Sequence, residues 1–323
     1  MKIIAIEEHF LTPEIRAAWK ASEIGTEGTS VFDMGDIESR LDDLSDSRIA
    51  LMDESGIDVQ VLSVTTPALH NLDAAVSIPL ARRTNDLLAA TIAKHPTRFQ
   101  GFATLPMAAP HEAAQELERA VRALGLRGAM LCGRIREKNL DHADFLPVLE
   151  TAARLGVPLF IHPQIPQRAV RDVYYSGFSE QIDTAFAAFA LGWHYEAGIQ
   201  FVRLILAGAF EKFPSLQIIL GHWGEVILFY LDRLNVLARV APLPRSITDY
   251  ARRNLYVTPS GMWSKPYMQQ TLDLVGPERI LFSTDYPYQY KPGGAPRKFL
   301  NDSPLSDAEK ALFAQANWER LTQ

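Results

Sequence analysis

The stretch "IIAIEEHF", residues 3–10, is an apolar, β-branched run that ends in two carboxylates and a histidine. Such a run reads as a strand covered on both faces. A buried carboxylate is costly unless something pairs with it, so the end of this strand must meet something. Glu7 and His9 are two residues apart and point the same way along a strand, while Glu8 points the other way.

Seven further runs share this character: "VQVLSV" (59–64), "FQGFATL" (99–105), "RGAMLCG" (127–133), "PLFIHP" (158–163), "QIILGH" (217–222), "LYVTPS" (255–260) and "ILFSTD" (280–285). Helical patterns separate them. "DIESRLDDLSDSRIALMDESG" (36–56) begins acidic and ends on glycine, as helix termini prefer. "SIPLARRTNDLLAATIAKHP" stops at a proline, and "HEAAQELERAVRALG" and "LPVLETAARLG" stop at Gly125 and Gly156. A long helical stretch is expected from about Glu180 to Phe213, and "EVILFYLDRLNVLARV" is expected to be helical after strand six. Eight strands alternating with helices predict an α/β fold, a (β/α)8 TIM barrel. Near-continuous apolar strands fit a parallel sheet covered on both sides. A doubly wound open sheet, the alternative, usually has fewer strands. Residues 1–323 are expected to form one domain, with long connections after strand one (10–58) and strand five (164–216).

A formal net charge of −6 gives no basic footprint for a nucleic acid. Cys132 is the single cysteine, so no intrachain disulfide is possible and a reducing cytoplasm fits. The N-terminal apolar run is too short and too acidic for a signal peptide, and none reaches membrane-spanning length. A soluble cytoplasmic protein without nucleic-acid or membrane partners is expected.

In a parallel barrel the chemistry lies at the C-terminal ends of the strands. Those ends carry Glu7 and His9 (strand one), His162 (five), His222 (six) and Asp285 (eight). Histidines and carboxylates converging on one mouth suit a divalent cation such as Zn²⁺ or Mn²⁺. Strand four carries no lysine, so a two-metal site bridged by a carbamylated lysine is not expected, and one metal is.

These motifs resemble the amidohydrolase superfamily, in the branch of the aminocarboxymuconate-semialdehyde, γ-resorcylate and 2,3-dihydroxybenzoate decarboxylases. The resemblance rests on "ALMDESGID" (50–58), "IHP" (161–163), "ILGHWGE" (219–225), "ILFSTDYP" (280–287) and "ANWERL" (316–321). It implies metal ligands Glu7, His9, His162 and Asp285, a catalytic His222 oriented by Glu225, and Arg233 facing the substrate. The chain has Glu-x-His where many relatives have His-x-His, as the hydroxybenzoate decarboxylases do. That harder ligand set favours Mn²⁺ or Mg²⁺ over Zn²⁺.

The expected activity is non-oxidative decarboxylation of a small hydroxy-aromatic acid, with Asp285 as proton donor and Arg233 and Tyr286 on the substrate. The alternative is a metal-dependent hydrolase (lactone, ester or amide) or a hydratase, in which the metal lowers the pKa of a bound water. Tyr286, Tyr288, Trp193 and Trp223 are candidates to wall an aromatic pocket. Arg168 and Arg171 are expected to be solvated, as are His70, His95, His111 and His142, and Cys132 to be a small buried hydrophobe. His194, in "GWHYEAG", either faces the pocket or belongs to a neighbouring subunit. The resemblance implies a homodimer or homotetramer.

Overall fold

A computed structural model describes residues 1–22 and 35–323. Among the described residues, seven parallel strands run in chain order: β1 (Ile4–Phe10), β2 (Val59–Val64), β3 (Phe99–Gly101), β4 (Ala129–Cys132), β5 (Leu159–His162), β6 (Ile218–Leu220) and β7 (Leu255–Val257). They form two ladders, β1-β2-β3 and β4-β5-β6-β7, and a bridge between Ala103 and Ala129 joins the two. The eighth run, residues 280–286, makes no continuous ladder. It closes the barrel with single bridges, Ile280 to Val257 and Tyr286 to Glu8. The Ile6 N–H donates to the Phe282 carbonyl at 2.9 Å and the His9 N–H to the Tyr286 carbonyl at 2.7 Å. The result is the expected (β/α)8 barrel.

Ile4, Ile6, Val59, Val61, Met130, Phe160, Ile219 and Tyr256 form one apolar cluster inside the barrel, and a larger cluster lies between the strands and the helices. Trp318, near the end of the chain, packs with the inner cluster, and its indole N–H donates to Gln100 Oε1 at 2.7 Å.

Pairing of β1 with β2 slips between Ala5 and Glu8. Strict alternation from Ile4 and Ile6 would turn Glu8 inward. The extra residue of this bulge turns Glu7 and His9 inward instead, and Glu8 toward the helices.

Two of the helices depart from the sequence expectation by breaking in the middle. The 36–56 segment is two helices, Ile37–Asp42 and Asp46–Ser55. Between them the Asp43 carboxylate accepts from the Ser45 N–H at 2.8 Å and the Ser47 hydroxyl at 2.6 Å, a local alternative to helix. The 180–213 stretch breaks at Ala188 and Leu191, leaving Glu180–Ala185 and Gly192–Leu206 as its main helices. The rest of the connection after β1, residues 23–34, lies outside the described residues. Among the described residues no helix is long and apolar enough to cross a membrane.

Candidate metal centre and active site

Glu7, His9, His162 and Asp285 come together at the C-terminal mouth of the barrel. All four are buried, and each offers a ligand atom within 4.8 Å of the others. Residues far apart in sequence meet here because parallel strands end on one side.

Each side chain is aimed by a second contact. Glu7 Oε2 accepts hydroxyl hydrogens from Thr258 at 3.1 Å, Ser283 at 3.1 Å and Ser260. His162 Nδ1 lies 2.8 Å from the Pro163 carbonyl and His9 Nδ1 3.2 Å from Ser63 Oγ, which leaves both Nε2 atoms toward the centre. His162 Nε2 is 3.7 Å from Glu7 Oε1, and His9 Nε2 is 3.4 Å from Asp285 Oδ1. Glu7 Oε1 and His9 Nε2 are buried without a protein hydrogen bond. Buried polar atoms are normally satisfied, and two orphans aimed at one point fit a cation. Two imidazoles and two carboxylates are a donor set for one divalent metal ion, and no lysine of β4 offers a bridge to a second.

The electrostatics agree. Burial pushes the Glu7 carboxyl up to about 8 when only protein groups surround it, and a cation would reverse this. Burial, then His9, pushes His162 down to about 3, which keeps it a neutral ligand. Burial works against the Asp285 carboxylate, but His222 and His9 outweigh it and hold the group at about 2.

Beside the cage lies a second cluster. Glu225 Oε1 is 2.6 Å from His222 Nδ1, and Glu225 Oε2 is 2.8 Å from His194 Nδ1. His222 Nε2 stands 3.9 Å from Asp285 Oδ2. Burial alone would depress His222, yet Glu225, Asp285 and Glu7 hold it well above its ordinary value. Burial would raise Glu225, but His222 and His194 pull it to about 2. Glu225 thus favours the charged form of His222, and the two imidazoles favour the ionised form of Glu225.

The backbone here is strained. His222, Trp223, Gly224, Glu225 and Val226 all have positive φ, between 47° and 91°. Such conformations cost about 1–3 kcal/mol each for non-glycine residues and persist where the surroundings hold them. The His222 N–H donates to Ser260 Oγ, the Trp223 N–H to the Thr258 carbonyl and the Trp223 indole to the Met262 carbonyl, each at 2.8 Å. At Gly221 a Cβ would come 2.7 Å from Ser260 Oγ and 3.0 Å from Glu7 Oε1, so only glycine lets this turn approach the cage.

A cavity of about 610 Å³ opens onto the cage. His162, His222, Asp285 and His194 line its polar end, and Trp193, Trp223, Tyr288, Phe189, Leu228 and Met262 much of its apolar wall. Of the four aromatic candidates, Trp193, Trp223 and Tyr288 line it. Tyr286 does not. Its ring lies under the Arg48 guanidinium, 4.4 Å away, on the helix side of the barrel. Arg233 is also corrected. It is exposed on the short helix Leu231–Leu234 and does not line this chain's cavity. The resemblance placed Arg233 at the site, and in this chain the left-handed turn after His222 breaks the helix expected there.

Sequence reasoning missed His70 and undervalued His194. His70 is fully buried rather than solvated, and its Nε2 accepts the Cys132 N–H at 3.1 Å. The signal for His194 was a lone histidine in an aromatic run. Gly198 on the same helix lets the backbone pass close enough to Glu225 to deliver it, since a Cβ there would lie 2.3 Å from the Glu225 carbonyl oxygen. Cys132 is buried as expected, and the same burial pushes its thiol up to about 12.

The chain is similar to a γ-resorcylate decarboxylase from Polaromonas sp., at 34% identity over 98% of this chain and 97% of that protein. It is similar in structure to a dihydroxybenzoic acid decarboxylase from Polaromonas sp. with bound manganese and the inhibitor 2-nitroresorcinol, at a TM-score of 0.87, 33% identity and 99% and 96% coverage of the two chains. It is also similar to 5-carboxyvanillate decarboxylase from Sphingomonas paucimobilis, at a TM-score of 0.91, 32% identity and 99% and 98% coverage. The amidohydrolase family model matches residues 9–321, and with these relatives along its whole length the chain belongs to the amidohydrolase family.

Proposed function

We propose that this protein is a metal-dependent, non-oxidative decarboxylase, a carboxy-lyase, of a small hydroxy-aromatic carboxylic acid. The observation that carries it is the convergence of the buried Glu7, His9, His162 and Asp285 cage with the His222–Glu225–His194 cluster under an aromatic-walled cavity. Glu7, His9, His162 and Asp285 would hold one divalent ion. Manganese is supported by the carboxylate at position 7 and by the metal in the dihydroxybenzoic acid decarboxylase. When bound, the ion supplies a Lewis acid that orients the acid and draws electron density from it.

The protein's own residues supply the proton and the environment. The Asp285–His222 pair holds one exchangeable proton, and Glu225 beside His222 favours its place on that imidazole. It passes along the pair to the ring carbon that bears the carboxylate. The carbon–carbon bond then breaks, its electrons restore the aromatic ring, and CO₂ leaves. Glu225 fixes the His222 tautomer, and His194 shares that carboxylate. Apolar walls favour the step that turns a carboxylate into neutral CO₂.

Residues 1–323 act as one domain on this reading, supported by Trp318 packing under the first strand. Exposed Phe178, Ile182, Phe229 and Tyr230 support a homo-oligomer, a dimer or tetramer, checked by sedimentation. The single cysteine supports a cytoplasmic location.

The test is to load the purified protein with manganese and assay 2,6-dihydroxybenzoate and its methyl-substituted and methoxylated analogues beside a panel of lactones. One CO₂ per acid consumed, abolished by chelation, is expected. Lactone hydrolysis without CO₂ release from any acid would overturn the proposal in favour of a hydrolase.

A further inference from the structure

Glu8 stands next to two cage residues but faces away from the cage, with its side chain fully buried. Its Oε1 accepts the Thr284 N–H at 2.8 Å, and its Oε2 accepts the Thr284 hydroxyl at 2.6 Å and the Gln60 amide at 3.2 Å. Gln60 Oε1 accepts from Arg48 Nε at 2.7 Å, and Arg48 Nη1 donates to the His9 carbonyl at 2.8 Å. The Arg48 guanidinium also lies over the Tyr286 ring. One connected set of contacts therefore grips both neighbours of Asp285, Thr284 and Tyr286, and the backbone of His9.

Two features say what this set does. It sits at the barrel seam, where residues 280–286 make single bridges rather than a continuous ladder. Main-chain pairing with β1 is confined to the hydrogen bonds at Phe282 and Tyr286, so the stretch between them that carries Asp285 is held by side chains as well. It is also polar and buried, with the Glu8 carboxyl and the Arg48 guanidinium joined only through Gln60, and such groups are costly to bury. A buried polar network of this kind is best explained by the geometry it enforces.

We propose that Glu8 is a positioning residue for the metal centre. Through Thr284 on one side and through Gln60 and Arg48 on the other, it fixes the separation of the ligands His9 and Asp285. This inference rests on the reading of the cage as a metal site.

The test compares Glu8→Gln and Thr284→Val with the unmutated chain. The manganese dissociation constant is measured by competition with a fluorescent chelator, and the spin-resonance spectrum of bound manganese is recorded. Thermal midpoints of the chelator-stripped chains are measured in parallel. Removing contacts that orient ligands typically weakens metal binding about 10- to 100-fold, and a loss of that order with an altered manganese spectrum is expected for both variants. Dissociation constants within twofold of the unmutated chain, alongside lowered midpoints of the stripped variants, would overturn the inference and leave Glu8 as a fold-holding residue. Should Glu8→Gln fail to fold, Thr284→Val decides alone, because it removes one hydroxyl and keeps the backbone bond to Glu8. If the unmutated chain takes up no manganese, the metal reading itself fails and the inference falls with it.

Discussion

Replacing Glu225 by glutamine tests the coupling between the cage and the proton donor. Glu225 is fully buried and places one carboxylate oxygen on each of two imidazoles, His222 at 2.6 Å and His194 at 2.8 Å. Glutamine keeps the shape but turns one of those acceptors into a donor. Both ring Nδ1–H groups cannot then be accepted, so one bond is lost or one ring changes tautomer. A hydrogen bond to a charged group is worth about 1.5–3 kcal/mol, which corresponds to a roughly 10- to 150-fold loss in rate. The pH dependence should change as well. Burial opposes the charge on His222, and Glu225 is the largest of the groups that hold it well above the ordinary 6.5. The unmutated enzyme therefore keeps the imidazolium through neutral pH, and activity that needs it is lost only as pH rises through the raised value. In Glu225→Gln that alkaline limb should move to lower pH. The assay is the initial rate of CO₂ release by the manganese-loaded protein over a pH series, with metal content measured on the same samples. A rate within twofold of the unmutated enzyme and an unmoved limb, at full metal content, would refute the reasoning. A variant that had lost its metal would show that Glu225 acts on the cage rather than on His222.

Glu7→Ala should abolish stoichiometric metal and activity together, because it removes a ligand and leaves the hydroxyls of Thr258, Ser260 and Ser283 without their shared acceptor. Elemental analysis after gel filtration checks it, and retained metal would remove Glu7 from the cage. Stripping the unmutated chain with a chelator should lower its stability by about 2.7 kcal/mol relative to protein with free metal at a hundred times the dissociation constant, read from denaturant midpoints with and without manganese. His70 is buried and pushed down from 6.5 to about 4, mainly by burial. The unfolded chain thus binds the proton first, and stability should fall as pH drops from about 6.5 toward 4, by about 3 kcal/mol at 1.36 kcal/mol per pH unit. His70→Gln should flatten that part of the pH–stability curve, and an unchanged slope would show that His70 does not carry it.

The barrel and its ligands were legible for one reason. Parallel strands buried on both faces leave little choice of residue until they end, so a histidine or carboxylate at such an end stands out. Glu7, His9, His162, His222 and Asp285 were found that way, and the resemblance set His222 apart from the four ligands. What failed depended on backbone that no propensity rule describes. The run from His222 to Val226 is left-handed against the preference of four non-glycine side chains, and tertiary hydrogen bonds hold it there. The resemblance placed Arg233 at the site, and the short helix that follows the turn leaves that residue exposed in this chain. His194 was undervalued for a related reason. Its approach to Glu225 depends on the helix break at Ala188 and Leu191 and on the missing side chain of Gly198, features of packing rather than of period.

The opening strand shows how a correct assignment can rest on incomplete geometry. Glu7 and His9 were paired because residues two apart share a face, but the same rule applied from Ile4 and Ile6 would have put Glu8 in the cage. The two applications conflict, and alternation alone cannot choose between adjacent carboxylates. The bulge resolves the conflict by letting Ile6 and Glu7 both face inward before alternation resumes at Glu8. The apolar half of the strand can then fill the barrel floor while the polar half faces its mouth. Three hydroxyls converge on Glu7 Oε2 and a threonine grips Glu8, so each carboxylate has its own set of donors and the register is fixed from both sides. Closing the bulge without removing a residue, so that strict alternation runs on from Ile6, would exchange the two roles and put Glu8 among the hydroxyls without a partner for Thr284, which is why the adjacent glutamates are not interchangeable.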